Sequence, residues 1–370
     1  MTRVHNFSAG PAALPLEVLE EVRSELVDYR GLGMSVLEMS HRSAAYQQIF
    51  DETEACLRRV LGIPGNYRVL FLQGGATLQF AGIPLNLMRR GRAGYVVSGN
   101  FAKKAWQEAQ RYGEAELLAT SEDTGFDRIP DLSGISERAA AGELDYVYIC
   151  QNNTIFGTQF HELPDCGPAP LVSDVSSCFL SEPLDVSRYG LLYAGAQKNA
   201  GPAGVTVVIV REDLIEGGPA LPVCPSYLDY RLEADKGSMY NTPNTFGIYL
   251  CGKVFSWVER TGGLAAMAER NRAKSDALYG FLDASEVFHG HAEPGSRSIA
   301  NVTFRTGSAE LDAAFVAGAA ECGIQGVKGH RLVGGMRASV YNAVTMESVK
   351  ALLSYMEGFE AAHKSDSRSI

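Results

Sequence analysis

Apolar residues follow two rhythms along this chain. In PLEVLEEVRSELVD, residues 15–28, Leu19, Val22 and Leu26 share one side of a helix while Glu17, Glu20 and Glu21 stay in water. Pro15 suits its opening turn. YQQIFDETEACLRRVLG (46–62) predicts a second helix, closed by Gly62. From residue 68 the rhythm shortens. RVLFLQ (68–73) is followed by a glycine pair and the helical TLQFAGIPLNLMR, and YVVS (95–98) by the helical FAKKAWQEAQRYG. ELLA (116–119), DYVYIC (145–150), PLVSD (170–174), LLYAG (191–195) and VTVVIVR (205–211) are further strands. Their near-continuous hydrophobicity implies strands covered on both faces, as in a mostly parallel sheet. Alternation with helices implies a doubly wound α/β layer. Residues 191–211 hold two strands without room for a helical crossover, so at least one antiparallel neighbour is expected.

Beyond residue 244 the pattern changes to long helices, TFGIYLCGKVFSWVERTG and GLAAMAERNRAKSDALYGFLD. IANVTFR (299–305), LDAAFVAGAAECG (311–323), GGMRASVYNA (334–343) and VKALLSYMEGFEAAH follow, an order that fits a smaller α+β domain. The expected division is a large α/β domain over 1–255, a small C-terminal domain over 256–362 and a flexible tail at 363–370. The first residues could pack with the small domain.

Composition narrows the function classes. Hydrophobic residues make up 46% of 370 and charged residues 21%, ordinary for a folded chain. A formal net charge of -10 disfavours a surface that coats nucleic acid. No apolar run reaches membrane-spanning length, and the start lacks the pattern of a secretory signal. Seven dispersed cysteines without a CxxC read as reduced thiols, so no metal site and a cytoplasmic enzyme are expected.

The chemistry concentrates in LLYAGAQKNAGPAG, residues 191–204. Lys198 follows an apolar strand and precedes a turn rich in Gly and Pro, a position where its amine would end in a cavity near the strand ends. Lower polarity there disfavours the ammonium and frees a nucleophile; on local sequence a solvated loop lysine is an equal reading. Asp174 ends PLVSD at the same expected sheet edge, where a carboxylate could bind a protonated heteroaromatic nitrogen or only cap the next turn. RVLFLQGGATLQF brings Gly74, Gly75, Ala76 and Thr77 between a strand and a helix. Free N–H groups of that first turn could receive a phosphate, although the spacing is not that of a nucleotide P-loop.

NFSAGPA (6–12), GLGMSVLEMSHR (31–42), FLQGGATLQF (71–80), YAGAQKNAGPAG (193–204), YNTPNTF (240–246) and KGHRLVGGMRASVYNA (328–343) together resemble the phosphoserine aminotransferase family. These are class-V aminotransferases with the aspartate-aminotransferase-like fold type I, and the resemblance runs from Asn6 to about Phe359. It implies pyridoxal 5'-phosphate held covalently by Lys198, with Asp174 on the pyridine nitrogen. Ala76, Thr77 and Gln197 would hold the cofactor phosphate, Thr154 would lie near its 3′-oxygen, and Asn241 and Thr242 would reach it from the second subunit of a homodimer. Phe101 stands where the family commonly has Trp over the ring, with less stacking area. Some relatives carry Arg where this chain has Thr77.

The resemblance also implies the substrates, glutamate and a phosphorylated 2-oxo acid. Arg337 would fork onto the α-carboxylate. His330, Arg331, His41 and Arg42 would take the substrate phosphate, the last two from the partner subunit. The implied reaction converts 3-phosphohydroxypyruvate and glutamate to O-phosphoserine and 2-oxoglutarate, with 4-phosphohydroxythreonine as a second possible product. The alternatives are another small-acid transaminase of the alanine–glyoxylate type, a cysteine desulfurase, or a non-catalytic relative. No cysteine occupies a Gly/Ser-rich loop of the kind a desulfurase needs.

Overall fold

The computed structural model describes residues 3–364. The chain opens with β1 (His5–Asn6), α1 (Leu16–Glu25) and α2 (Ala44–Leu61), the last closed by Gly62 in the left-handed conformation. Then come β2 (Tyr67–Leu72), α3 (Gly75–Leu87), β3 (Arg92–Val97), α4 (Asn100–Ala109), β4 (Glu114–Thr120), α5 (Ile135–Ala141) and β5 (Val147–Cys150). β6 (Leu171–Asp174), β7 (Leu191–Gly195) and β8 (Thr206–Arg211) complete the main strands, with α6 (Glu212–Glu216) and α7 (Tyr230–Asp235) behind them. Two long helices, α8 (Thr245–Arg260) and α9 (Gly263–Ala284), lead to β9 (His289–Gly290), β10 (Asn301–Arg305), α10 (Ala309–Glu321), β11 (Ile324–Gln325), β12 (Met336–Ser339) and α11 (Met346–His363).

The seven-stranded sheet has the order β2-β8-β7-β6-β5-β3-β4. β8 runs antiparallel to both its neighbours, β2 and β7, and every other pairing is parallel. Residues 196–205 are too few for a helical crossover, so β8 returns beside β7 as the sequence requires. The apolar runs hide a strict alternation. Leu192, Ala194, Val207 and Ile209 enter one core with α2 and α8, while Leu191, Tyr193, Val208 and Val210 enter a second core with α3 and α4. Both faces are covered, which is why these strands carry almost no polar residue.

The smaller C-terminal α+β part has its own core, built from Phe288, Phe304, Phe315, Met356 and Phe359. Its three-stranded sheet is antiparallel, in the order β12-β10-β9. β1 pairs in parallel with β11, and Phe7 enters that third core, so the start of the chain is bound to its end. α9 serves two cores: Leu264 and Met267 pack with the large sheet, Leu278 and Leu282 with the small one.

Some boundaries differ from expectation. α1 ends at Glu25, and β5 begins only at Val147. α5 was not anticipated, because ISERAAA is short and buries little besides Ile135 and Ala139. His363 closes α11 and is not tail, its Nδ1 within 2.8 Å of Phe359 O; residues 365–370 of the expected tail lie outside the described residues. Among the described residues no helix is long and apolar enough to cross a membrane.

Candidate active site

The carboxyl ends of β2, β3, β5, β6 and β7 all point to one edge of the sheet, because only β8 is reversed. In an open α/β sheet that edge is where ligands bind. It collects Gly74 and Gly75 after β2, Phe101 after β3, Thr154 after β5, Asp174 at the end of β6, and Gln197 and Lys198 after β7.

Lys198 sits in a tight turn, where the N–H groups of Ala200 and Gly201 both donate to Ala196 O at 3.0 and 2.8 Å. Its Nζ donates to Thr154 Oγ1 at 2.7 Å and lies 5.1 Å from the centre of the Phe101 ring. Burial pushes its ammonium below the ordinary lysine range; the charge of Asp174 opposes this and that of Arg337 adds to it. An amine whose charged form is disfavoured by burial, beside a hydroxyl, is a poised nucleophile.

Asp174 is 5% exposed and accepts a hydrogen bond from Ser176 N at 2.9 Å. It lies level with Cys150 on β5 and Tyr193 on β7. Burial raises the Cys150 thiol and the Tyr148 and Tyr193 hydroxyls, and the Asp174 charge raises each further, so all three stay neutral beside it. Lys198 supplies the opposing charge at this end of the sheet.

Thr154, 3% exposed, joins the two parts of the molecule. Its hydroxyl receives Lys198, and its carbonyl accepts Arg337 Nη1 at 3.0 Å from β12. Among the described residues Arg337 Nε is buried without a hydrogen-bond partner, and burial holds the guanidinium below its usual range, with Tyr341 opposing. A buried guanidinium with an unused donor is prepared for an incoming carboxylate.

Gly74 (φ 92) and Gly75 (φ 70) make the turn into α3. A Cβ on Gly74 would collide with Leu78 Cδ2, so only glycine fits. No side chain caps α3 and its first turn has no acid, which leaves the N–H groups of Ala76 and Thr77 for an anion. Gln197 borders the same edge; a Cβ on Gly195 would come 2.7 Å from its Oε1. Within the chain, the Thr242 carbonyl accepts a hydrogen bond from Gln73 Nε2 at 3.0 Å.

His330 and Arg331 lie in a turn where Val333 N and Gly334 N donate to His330 O, both at 2.9 Å. Burial pushes the His330 ring down, and the charges of Arg337, Arg331 and Lys104 push it further. His41 and Arg42 stand apart, in the turn before α2, with Arg42 Nε 3.4 Å from His41 Nε2. Among the described residues no hydrogen bond joins either to Lys198, Asp174 or Arg337.

Three contacts at the lysine turn and its surroundings came only with the fold. Ala12 N donates to Gln197 O at 2.9 Å, and a Cβ on Gly10 would be 3.5 Å from Lys198 Cγ, so NFSAGPA packs directly on the lysine turn. Asn199 donates to Phe179 O at 2.7 Å and accepts from Asn342 N at 2.9 Å, tying that turn to the chain after β12. Lys104 acts on His330 from α4. NFSAGPA stands among the family motifs without a stated place at the lysine; nothing local marks the other two.

The class-V aminotransferase family pattern matches residues 4–352. A phosphoserine aminotransferase from Bacillus cereus is 50% identical over 365 residues, covering 98% of this chain and 100% of the relative. One from Azotobacter vinelandii is 52% identical over 362 residues, covering 98% and 99%. The solved phosphoserine aminotransferase from Bacillus circulans subsp. alkalophilus superposes with a TM-score of 0.94 at 46% identity, covering 98% of this chain and 99% of that one. Sequence and backbone therefore agree over nearly the whole length: the chain belongs to the class-V aminotransferase family and, within it, to the phosphoserine aminotransferases.

Proposed function

We propose that this protein transfers an amino group reversibly between glutamate and 3-phosphohydroxypyruvate, giving 2-oxoglutarate and O-phosphoserine, with pyridoxal 5'-phosphate held on Lys198. The observation that carries the reading is Thr154, whose hydroxyl holds the Lys198 amine while its carbonyl holds Arg337. An amine nucleophile and a guanidinium suited to a carboxylate are thus held by a single residue. The vacant Arg337 Nε and the uncapped, acid-free start of α3 fit a carboxylate and a phosphate.

In this reading the cofactor, when bound, supplies an electron sink for charge developing at the substrate's α-carbon. Asp174 pairs with the pyridine nitrogen and keeps it protonated. Phe101 and Thr154, which flank the Lys198 amine, would cover the ring and hold its hydroxyl. Ala76, Thr77 and Gln197 hold the cofactor phosphate, joined by Asn241 and Thr242 of a second copy in a homodimer. Arg337 takes the α-carboxylate of either substrate. His330 and Arg331 take the distal phosphate, with His41 and Arg42 contributed across the dimer. Released when the substrate's amine takes its place on the cofactor, Lys198 would remove the proton from the substrate's α-carbon as base and give it back as acid. Burial lowers its ammonium, which favours the base role.

Lys198→Ala is expected to abolish transamination and the visible absorbance of covalently held pyridoxal phosphate. Wild-type turnover by that variant would remove Lys198 from the mechanism. Initial rates of the wild type with phosphohydroxypyruvate, its unphosphorylated analogue and glyoxylate, each with glutamate, test the substrate; preference for glyoxylate would reject the phosphorylated acid.

A further inference from the structure

Asp174, Lys198 and Arg337 sit at three separate strand ends, those of β6, β7 and β12. The segment that leaves Asp174 makes a buried turn at residues 179–181, and the other two ends are tied to it there. Its three successive carbonyls each accept a side-chain amide. Phe179 O accepts from Asn199 at 2.7 Å, Leu180 O from Asn342 at 2.8 Å and Ser181 O from Asn271 at 2.9 Å. Leu180 itself is fully buried with φ 63, a left-handed conformation that a leucine adopts only where its surroundings over-determine it.

The three amides come from different parts of the chain. Asn199 is the neighbour of Lys198, Asn271 lies on α9, and Asn342 follows β12. Asn342 touches both of the others: its Oδ1 accepts Asn271 Nδ2 at 2.8 Å, and its backbone N–H donates to Asn199 Oδ1 at 2.9 Å. With Nδ2 committed to a carbonyl and Oδ1 to an amide, its side chain has one satisfactory orientation, since a flip sets acceptor against acceptor and donor against donor. Lys274, one turn along α9 from Asn271, holds the backbone on either side of Asn342 through Tyr341 O and Val344 O. Thr154 joins Lys198 and Arg337 at their reacting ends, but the bond to Lys198 must open whenever that amine reacts. The asparagine cluster uses neither reacting group and can stay closed throughout.

Resting on the roles proposed above for Lys198 and Arg337, we propose that Asn342 is a positioning residue for the transamination, fixing the lysine turn against the end of β12. It thereby sets the distance between the Lys198 amine and the carboxylate that Arg337 holds. It acts through Asn199 and through the backbone of β12, not through a contact with substrate. Proton transfer at the α-carbon is sensitive to such spacing, and a misplacement of about 1 Å costs on the order of 100-fold in rate.

The experiment compares wild-type, Asn342→Ala and Asn342→Asp holoenzymes in steady state and by absorbance titration with pyridoxal phosphate. Wild-type turnover of phosphohydroxypyruvate with glutamate comes first; its absence would defeat the functional reading itself, separately from Asn342. Given that turnover, Asn342→Ala should lower kcat by about 10- to 100-fold, alike from glutamate and from O-phosphoserine, because both pass through the same α-carbon geometry. KM for each substrate, cofactor affinity and the visible absorbance of the bound cofactor should stay near wild type. Asn342→Asp keeps the size of the side chain and the acceptor for Asn271 but sets an oxygen against Leu180 O. It should show the same fall in kcat, and it carries the test if Asn342→Ala does not fold. An unchanged kcat in a folded variant would overturn the assignment. So would a loss of cofactor affinity in step with kcat, which would mark a loosened fold, or a raised KM with kcat preserved, which would mark a lost substrate contact.

Discussion

Lys274 offers a test of how the two cores are joined. It lies on α9, 2% exposed, and its ammonium donates to Tyr341 O at 2.7 Å and Val344 O at 2.9 Å. Those carbonyls belong to the stretch just beyond β12, the strand that carries Arg337. Burial, with a smaller push from Arg270, lowers the lysine from 10.5 to about 7. In the unfolded chain the group returns to about 10.4. Between these values the unfolded chain binds a proton that the folded protein does not, so stability rises with pH. The gain is complete above the unfolded value and is lost as pH falls through about 7. From pH 6 to pH 9 it amounts to about 3 kcal/mol, two units above the folded value at 1.36 kcal/mol each. Lys274→Met keeps the stem but cannot titrate. Both carbonyls lose their donor, a penalty that does not depend on pH. Urea unfolding of wild type and variant, at one protein concentration and several pH values, isolates the contribution as the pH slope of their difference. The wild type should gain on the variant by about 3 kcal/mol across that range. A difference that stays flat with pH, or shrinks as pH rises, refutes the reasoning.

Two further outcomes follow from the site. Arg337→Lys removes the guanidinium fork and its bond to Thr154 O, and should raise KM for glutamate and phosphohydroxypyruvate alike by about 10- to 100-fold. A rise confined to the phosphorylated substrate would assign Arg337 to the wrong end of it. Gly74→Ala forces a side chain into Leu78 at φ 92 and should lower stability by about 1–3 kcal/mol and weaken cofactor binding in an absorbance titration. An unchanged melting temperature and cofactor affinity would contradict the close-packed turn.

The amino-acid sequence by itself determined the kind of each main element. VTVVIVR is a strand and YQQIFDETEACLRRVLG a helix because apolar spacing and a closing glycine are local signals. It also determined that Lys198 follows one strand and Asp174 ends another, and its long motifs were enough to suggest the family. Tertiary structure decided what stands beside what. The alternation of Leu191 and Leu192 between two cores is invisible in a run that is apolar throughout, and appears only once helices cover both faces. β2 lies next to β8, far along the chain, because pairing is chosen by the burial of whole faces. Thr154 gained its two partners only when β5, β7 and β12 met. An element's shape depends on neighbours within a turn or two of chain. An active site depends on contacts between residues hundreds of positions apart, which sum over the entire fold and leave no periodic trace in any one segment.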